Sequence, residues 1–244
     1  MKVVAIIQAR MGSTRLPGKV LKQLKGETVL SHVMKRVSQS NLVDDIVVAT
    51  TVGQIDDPIV KEVVKSGYQI YRGSENDVLD RYYKAALQSS ADIVVRITSD
   101  CPLIDPIVID KMLNIYIRKN YTLVANIGLK SFNRTFPRGL DVEIFSIDTL
   151  DKAVHNASAF YQREHVTPYM YENECEIFYF KNNKDMSNHR WTLDTAEDFD
   201  LIKEIYEKLY SGEHDFFMDE ILSLFEMDKE LFNINAHIEQ KTLK

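Results

Sequence analysis

Two cysteines in 244 residues, Cys101 and Cys175, are too few for a disulfide framework and lack the spacing of a metal site. Packing must therefore hold the fold, a reducing compartment fits, and neither thiol is expected to carry chemistry. No apolar run approaches the roughly 20 residues that span a bilayer, and the start MKVVAIIQAR lacks the small-residue cleavage site of a secretory signal. A cytoplasmic chain with no membrane partner is expected. An excess of positive charge is also missing: 30 Lys and Arg stand against 36 Asp and Glu. That balance argues against nucleic acid as a partner, which needs a broad basic face. Repeats, low-complexity tracts and linkers are absent too, so a chain with 45% hydrophobic residues is expected to bury one core, as one large domain or one domain with a lobe.

What is present is an alternation of apolar runs with segments of helical period, the pattern of βαβ units around a mostly parallel sheet. Strands are expected over Val3 to Ile7, Ile46 to Thr50, Ile93 to Ile97, Leu123 to Asn126, Val142 to Phe145 and Ile177 to Phe180. Apolar residues three or four apart predict helices over Val29 to Val37, Ile59 to Val64, Val78 to Leu87, Ile107 to Ile117, Ile147 to Ala157, Tyr161 to Glu172 and Ala196 to Tyr210. Thr195 is a natural N-cap for the last of these. After about Asn126 the alternation weakens, and NIGLKSFNRTFPRGLDVEIF reads as a loop entering a strand of a second, smaller lobe. Residues 211 to 244 read as amphipathic helix around Phe216, Ile221, Leu224 and Phe225, packed on the body or on a partner subunit.

The charge is unevenly spread. Residues 1 to 26 hold Lys2, Arg10, Arg15, Lys19, Lys22 and Lys25 and no acid, the mark of a small, strongly anionic ligand rather than a polymer. QARMGSTRLPGKVL follows the first strand, where open α/β sheets cradle phosphate. Gly12 and Gly18 let the backbone approach an anion, and Arg10, Arg15 and Lys19 supply neutralising charge. Lys22 and Lys25 read as solvated surface charges. GSTRLPGK is no Walker loop, because five residues separate its glycines and Val20 follows the lysine. A surface loop paired with carboxylates elsewhere is the plain alternative.

A triphosphate calls for a divalent cation, and Mg²⁺ favours one or two carboxylates beside phosphate oxygens. Asp100 in VVRITSDCPLID and Asp194 in RWTLDTAEDFD both stand at carboxyl ends of apolar segments. Either alone suits a cap or turn; together they suit a metal clamp. Asp105 and Asp198 are assigned structural roles. In PRGLDVEIF, Leu140, Val142 and Ile144 alternate with Asp141 and Glu143, so one face packs and the other carries acids. Arg138 can grip an acceptor carboxylate or phosphate, or form a surface ion pair. Ser74 and Asp77 suit a capping box, with Arg81 paired to Asp77 one turn earlier. Arg163, Glu164 and His165 in REHVTPY are candidate acceptor contacts. The six histidines lack metal-ligand spacing, and no Gly-x-Ser-x-Gly elbow occurs.

IIQARMGSTRLPGKVL resembles the opening signature of the cytidylyltransferases that activate acidic sugars, the group of CMP-Kdo and CMP-sialate synthetases. GSENDVLDRYYKAA, VVRITSDCPLID, FPRGLDVEIF and REHVTPY look more like its branch named after the spore coat polysaccharide protein SpsF, from Val3 to about Leu201. The resemblance implies a nucleotide-diphosphosugar transferase type of α/β fold: one domain over 1–244, with an acceptor and dimer lobe near 127–180. It implies transfer of CMP from CTP to an acidic sugar or phosphorylated acceptor, with pyrophosphate released and Mg²⁺ as cofactor. Gln8, Ala9, Arg10, Gly12, Ser13, Arg15, Lys19, Ser74, Thr98 and Asp100 would then take the nucleotide, with Arg10, Arg15 and Lys19 catalytic. Asp100 and Asp194 would hold the metal, and Arg138, Asp141, Glu143, Arg163 and His165 would face the acceptor. The stretches around Asp100 and FPRGLDVEIF depart from the Kdo and sialate enzymes, so their acceptors do not transfer. A homodimer is expected from the aromatic tail and the lobe. Two rivals remain: a glycosyltransferase of the same fold, which usually holds metal through two acids one residue apart, a feature missing after Asp100, where Asp105 is the next acid, and a non-catalytic nucleotide-binding module.

Overall fold

A computed structural model of the chain describes residues 1–128, 134–173 and 176–240. The apolar run at the start forms β1 (Val3–Gln8). A strand without polar alternation is stable only where both of its faces are covered, and β1 lies in the middle of the sheet. The others are β2 (Gln23–Leu24), β3 (Glu27–Thr28), β4 (Asp45–Thr51), β5 (Gln69–Gly73), β6 (Ile93–Thr98), β7 (Leu123–Ala125), β8 (Glu143–Ser146) and β9 (Ile177–Tyr179). Seven form one sheet in the order β5-β4-β1-β6-β8-β7-β9. All its pairings are parallel except those of β8, which runs antiparallel to both neighbours. β2 and β3 make a separate hairpin whose turn residues Lys25 and Gly26 both have positive φ, the geometry that matches strand twist.

The helices are α1 (Val29–Val37), α2 (Asp57–Lys65), α3 (Val78–Gln88), α4 (Pro106–Arg118), α5 (Ile147–Asn156), α6 (Phe160–His165), α7 (Pro168–Asn173), α8 (Ala196–Leu209), α9 (Met218–Met227) and α10 (Glu230–Asn233). The period of two along β1 divides them. Val3, Ala5 and Ile7 meet α1, α2, α4, α8 and α9, while Val4 and Ile6 meet α3, α5 and Met170 of α7. The expected α/β architecture, a mostly parallel sheet between helices, is the one observed.

Three expectations need correction. β5 was not expected, because an edge strand carrying Gln69 and Arg72 shows no buried alternation. The helix expected from Tyr161 to Glu172 is two helices, since Pro168 cannot continue a helix and bars helical geometry just before it. The strand expected in a second lobe, β8, is an interior strand of the one sheet, so the 127–180 segment grows out of that sheet. Cys175, part of the NIGLKSFNRTF stretch and the last four residues lie outside the described residues.

The tail closes one face. Phe216, Ile221, Leu224 and Phe225 join the core of the same chain. Arg36, fully buried, donates to the carbonyls of Ile104 (2.7 Å) and Phe216 (2.9 Å). Asp105 caps α4 through Oδ1 and accepts the Met218 N–H through Oδ2 at 2.8 Å, the structural role expected of it. His32 donates from Nε2 to the Leu24 carbonyl at 2.7 Å, since a carbonyl only accepts; its Nδ1 must then accept from His214 Nε2 at 2.8 Å. Burial, with the nearby His32 and Arg36, pushes the His214 pKa down to about 3, and burial lowers that of His32.

Both histidines are thus neutral in the folded chain and titrate near 6.5 once unfolded, so the unfolded state binds more protons between those limits. Stability is full above about pH 7 and falls as pH drops through 6 toward 3; urea unfolding midpoints across pH 5 to 8 should show this slope, and His214→Gln should flatten it. A second outcome concerns Gly139, at φ +102°, where an added Cβ would lie 2.6 Å from the backbone of Trp191. Gly139→Ala should cost roughly 2–5 kcal/mol in the same assay, from the left-handed backbone and the overlap combined.

Candidate active site

Parallel strands bring their carboxyl ends to one edge, and the loops leaving β1 and β6 meet there. The loop after β1 is pinned from below: Met11 N–H donates to Asp56 Oδ1 at 2.7 Å, and the other oxygen of that buried carboxylate takes the Thr51 hydroxyl. Met11 carbonyl accepts from Ser13 N (2.8 Å) and Gly18 N (3.2 Å), which folds the loop back on itself. Gly18, at φ +67°, then turns the chain into a short helical turn, Lys19–Leu21. These bonds aim Lys19 inward, across the sheet edge.

Lys19 Nζ lies 2.7 Å from Asp100 Oδ2, 2.8 Å from Asp194 Oδ1 and 2.7 Å from the Leu193 carbonyl. Asp100 follows β6; Asp194 precedes α8, and the segment bearing it is tied alongside by Leu193 N–H to Asp100 carbonyl at 2.8 Å. Arg15 Nη2 reaches Asp194 Oδ2 at 2.9 Å, and Arg190 Nη2 meets the same oxygen at 3.0 Å. Burial alone would lower the Lys19 pKa, but the charges of Asp100 and Asp194 outweigh it and raise it. Burial likewise works against the Asp100 carboxylate, and the Lys19 ammonium still holds its pKa below the ordinary value. Lys19 and Asp100 are both ionised at neutral pH.

The donor set suits Mg²⁺. Two carboxylates converge on one cation, and no group of three or more His, Cys, Asp or Glu suited to a metal occurs among the described residues. Such a pair needs ligand oxygens to complete six-fold coordination, as Mg²⁺ does with phosphates. The cleft around it holds about 460 Å³ and is lined by Gln8, Ala9, Arg10, Gly12, Ser13 and Thr98 together with Arg138, Asp141, Glu164 and His165. Arg10 is exposed and makes a loose ion pair with Glu75 at 3.9 Å.

The part of the cleft wall at Arg138 is built by a backbone bridge: Arg138 N–H donates to His189 carbonyl (3.0 Å) and Trp191 N–H to Arg138 carbonyl (2.7 Å). Arg134 holds Asp141 through two bonds, of 2.5 and 3.1 Å. Burial, then the charges of Arg134 and Arg190, lowers the Arg138 pKa; three guanidiniums near one another favour an anion. His165 ends α6 and precedes Val166, at φ 72° and ψ −58°, where Thr167 N–H closes a γ-turn onto the His165 carbonyl at 2.9 Å. A β-branched residue held there is strained, and such strain gathers at working sites.

Three sequence candidates face elsewhere. Glu143 is buried, bonded to Arg96 at 2.5 Å and to the Tyr171 hydroxyl at 2.8 Å, so the acid face expected in PRGLDVEIF is internal. Arg163 pairs with Asp77 at 2.7 Å and donates to two carbonyls ending α5. Ser74 does not cap the helix directly: Asp77 caps α3 by accepting Asp80 N–H, while Ser74 Oγ accepts Asp77 N–H one turn outside. Since Arg163 holds Asp77, Arg81 turns to the Ser74 carbonyl at 2.6 Å and lines the cleft. Lys22 and Lys25 are not merely solvated: one lies 5.0 Å over the Phe199 ring, the other pairs with Glu207 at 2.8 Å. Arg190, Arg81, Asp56 and Gln240 were missed. Only Arg190, four residues before Asp194, carried a spacing that signals a partner.

A larger cavity, about 750 Å³, opens between α9, α10 and residues 182–189, walled by Met186, Leu222, Phe225 and Phe232. Its lining includes Asp219 and Glu226 but none of the residues expected at the site.

Comparison with known proteins bears on the family of the chain. The profile of the cytidylyltransferase family matches residues 4–226. An uncharacterized protein of Methanocaldococcus jannaschii is 38% identical, covering 100% of this chain and 98% of its own. The spore coat polysaccharide biosynthesis protein SpsF of Bacillus subtilis is 33% identical over 84% of this chain and 87% of its own. A cytidylyltransferase structure from Leptospira borgpetersenii superposes with a TM-score of 0.90 at 34% identity over the whole of both chains.

With Lys19 between them, the two acids already have a cation, so nucleotide-free protein should gain little from divalent ions. Lys19→Met leaves Asp100 without its cation and Asp194 held only through Oδ2 by Arg15 and Arg190, a loss of about 3–5 kcal/mol for a buried pair. Millimolar Mg²⁺ should raise the melting temperature of this variant by several degrees and that of the wild type by less than one; equal shifts would show that the acids do not share the ion's position.

Proposed function

The chain belongs to the cytidylyltransferase family, and from that premise we propose that it transfers CMP from CTP to a hydroxyl of an acidic sugar or related acceptor, releasing pyrophosphate, in the making of a surface polysaccharide or glycan. The observation that carries this reading is the contact of one lysine, on a glycine-bearing basic loop, with two carboxylates 94 positions apart in the chain. SpsF, a polysaccharide biosynthesis protein by name, supports the product class.

On this reading Arg10, Arg15 and Lys19 take the triphosphate, with Gln8, Ala9, Gly12, Ser13 and Thr98 around the rest of the nucleotide. Asp100 and Asp194 hold Mg²⁺, which when bound supplies charge neutralisation at phosphate oxygens. The acceptor oxygen forms a bond to the α-phosphorus as the bond to the bridging oxygen breaks, and pyrophosphate leaves. Lys19 and Arg15 neutralise charge on that leaving group; phosphoryl-type transfer needs mainly such positioning and electrostatics. Arg138 takes the acceptor's anionic group, and Asp141, held by Arg134, stays rigid beside it.

His165 suits the acceptor hydroxyl. Burial lowers its pKa, with Glu164 opposing, so the ring is neutral at pH 7 and can accept the hydroxyl hydrogen. A dedicated base is not essential to a hydroxyl next to a metal ion.

Pyrophosphate release with CTP and Mg²⁺ across sugar acids, sugar phosphates and phosphonates tests the reading; at least one anionic acceptor should give a CMP adduct. Lys19→Ala and Asp100→Ala should abolish turnover in folded protein. His165→Gln should lower kcat by about 10- to 100-fold, in the range of a positioned proton acceptor, and leave CTP affinity intact. Turnover by the lysine variant at the wild-type rate, or UDP-sugar hydrolysis in place of CTP use, would defeat the assignment.

A further inference from the structure

Asp194 is the metal acid with the most neighbours, and the group that holds it lies outside the cleft's own loops. Arg190 is 7% exposed and grips Asp198 with two bonds, Nε to Oδ1 at 2.8 Å and Nη2 to Oδ2 at 3.0 Å, while Nη2 also meets Asp194 Oδ2 at 3.0 Å. Asp198, fully buried, accepts the backbone N–H groups of Asp194 (2.9 Å) and Thr195 (3.0 Å). The Asp198 and Arg190 couple therefore fixes Asp194 twice, through its main chain and through its carboxylate. Arg190 occupies Oδ2 and leaves Oδ1 turned toward Lys19 and Asp100.

The couple is itself held from the tail. Asn235 Nδ2 donates to Asp198 Oδ1 and to the Arg190 carbonyl, each at 2.9 Å, and Arg190 Nη1 donates to Gln240 Oε1 at 2.5 Å. Asn235 is 3% exposed, and Gln240 reaches the cleft wall. Packing of α9 against the core does not require these bonds, because Phe216, Ile221 and Leu224 supply that burial. A buried arginine with four side-chain bonds is an expensive way to end a chain unless its geometry matters elsewhere.

We infer that Arg190 is the positioning residue for Asp194, and that the tail through Asn235 and Gln240 is part of the active site because it holds Arg190. The inference rests on Asp194 being a metal acid, as proposed above. Arg190 touches neither nucleotide nor acceptor; it acts through Asp194, whose oxygen must stay aimed at the ion once Lys19 moves to the phosphates. Groups behind a metal ligand characteristically change metal affinity by about 10- to 100-fold.

Mn²⁺ binding to CTP-saturated protein, followed by electron paramagnetic resonance without acceptor, separates this role from general damage. Arg190→Met should weaken Mn²⁺ tenfold or more and leave metal-free CTP binding within twofold. Arg190→Lys should recover part of the loss, since one ammonium reaches Asp194 but does not bridge to Asp198 in the same way. Gln240→Ala, which leaves the Asp198 pair intact, should weaken Mn²⁺ by about two- to fivefold, and it carries the test if the Arg190 variants do not fold. The Mg²⁺ concentration for half-maximal turnover should rise in the same order. Wild-type Mn²⁺ affinity in folded Arg190→Met and in Gln240→Ala, or equal loss of CTP and Mn²⁺ binding, would overturn the inference. If Asp194→Asn binds Mn²⁺ as well as the wild type, the metal reading of that acid fails instead.

Discussion

Lys19, Asp100 and Asp194 come from three distant parts of the chain and meet within hydrogen-bonding distance of one nitrogen. Each contact is worth about 6 kcal/mol in gross Coulomb attraction at an effective dielectric near 20, and much of that offsets the removal of three charges from water. The sheet makes the meeting possible: β1 and β6 are hydrogen-bonded neighbours, so the loops after them leave from the same edge. Lys19 bonds to the Leu193 carbonyl as well, so the same contact seats the strand-like segment before α8. Lobe, tail and cleft are arranged around this point.

The cluster is also balanced. Lys19, Arg15 and Arg190 face Asp100, Asp194 and Asp198, three cations against three carboxylates. On the proposed reading a triphosphate would exchange partners in such a cluster rather than enter an uncompensated basic pocket: Lys19 and Arg15 would turn to phosphate, and Asp100 and Asp194 would be left to hold the metal ion. Arg190 stays with Asp198, fully buried. The preorganised part and the exchanging part of the site are thus different side chains, which is how a rigid scaffold accommodates a charged ligand without large movement.

Much of this was legible in the chain. The runs at Val3, Ile46 and Ile93 are apolar on both faces because interior parallel strands must be, and helices such as Val29–Val37 carry their apolar stripe at the right period. The basic loop and the two acids stood out because charge placed just beyond a buried strand has few structural uses. β5 escaped because an edge strand tolerates polar residues, and the break before Pro168 was overridden by a helical period running across it. Glu143 was misplaced because alternation tells which residues share a face; that face is covered by Tyr171 and Arg96. Asn235 and Gln240, the tail residues behind Arg190, gave no signal, since their meaning is a set of long-range bonds.

The sequence by itself determined the class of fold, the edge at which ligands gather and the identity of the charged groups there, because periodicity and turn chemistry are local properties. Only the tertiary structure decided that Asp194 shares the Lys19 cation with Asp100, that Glu143 is internal, and that Asn235 and Gln240 stand behind Asp194 through Arg190. Those facts depend on distances between residues tens to hundreds of positions apart, and such distances are set by how the sheet twists and which helices pack on each face.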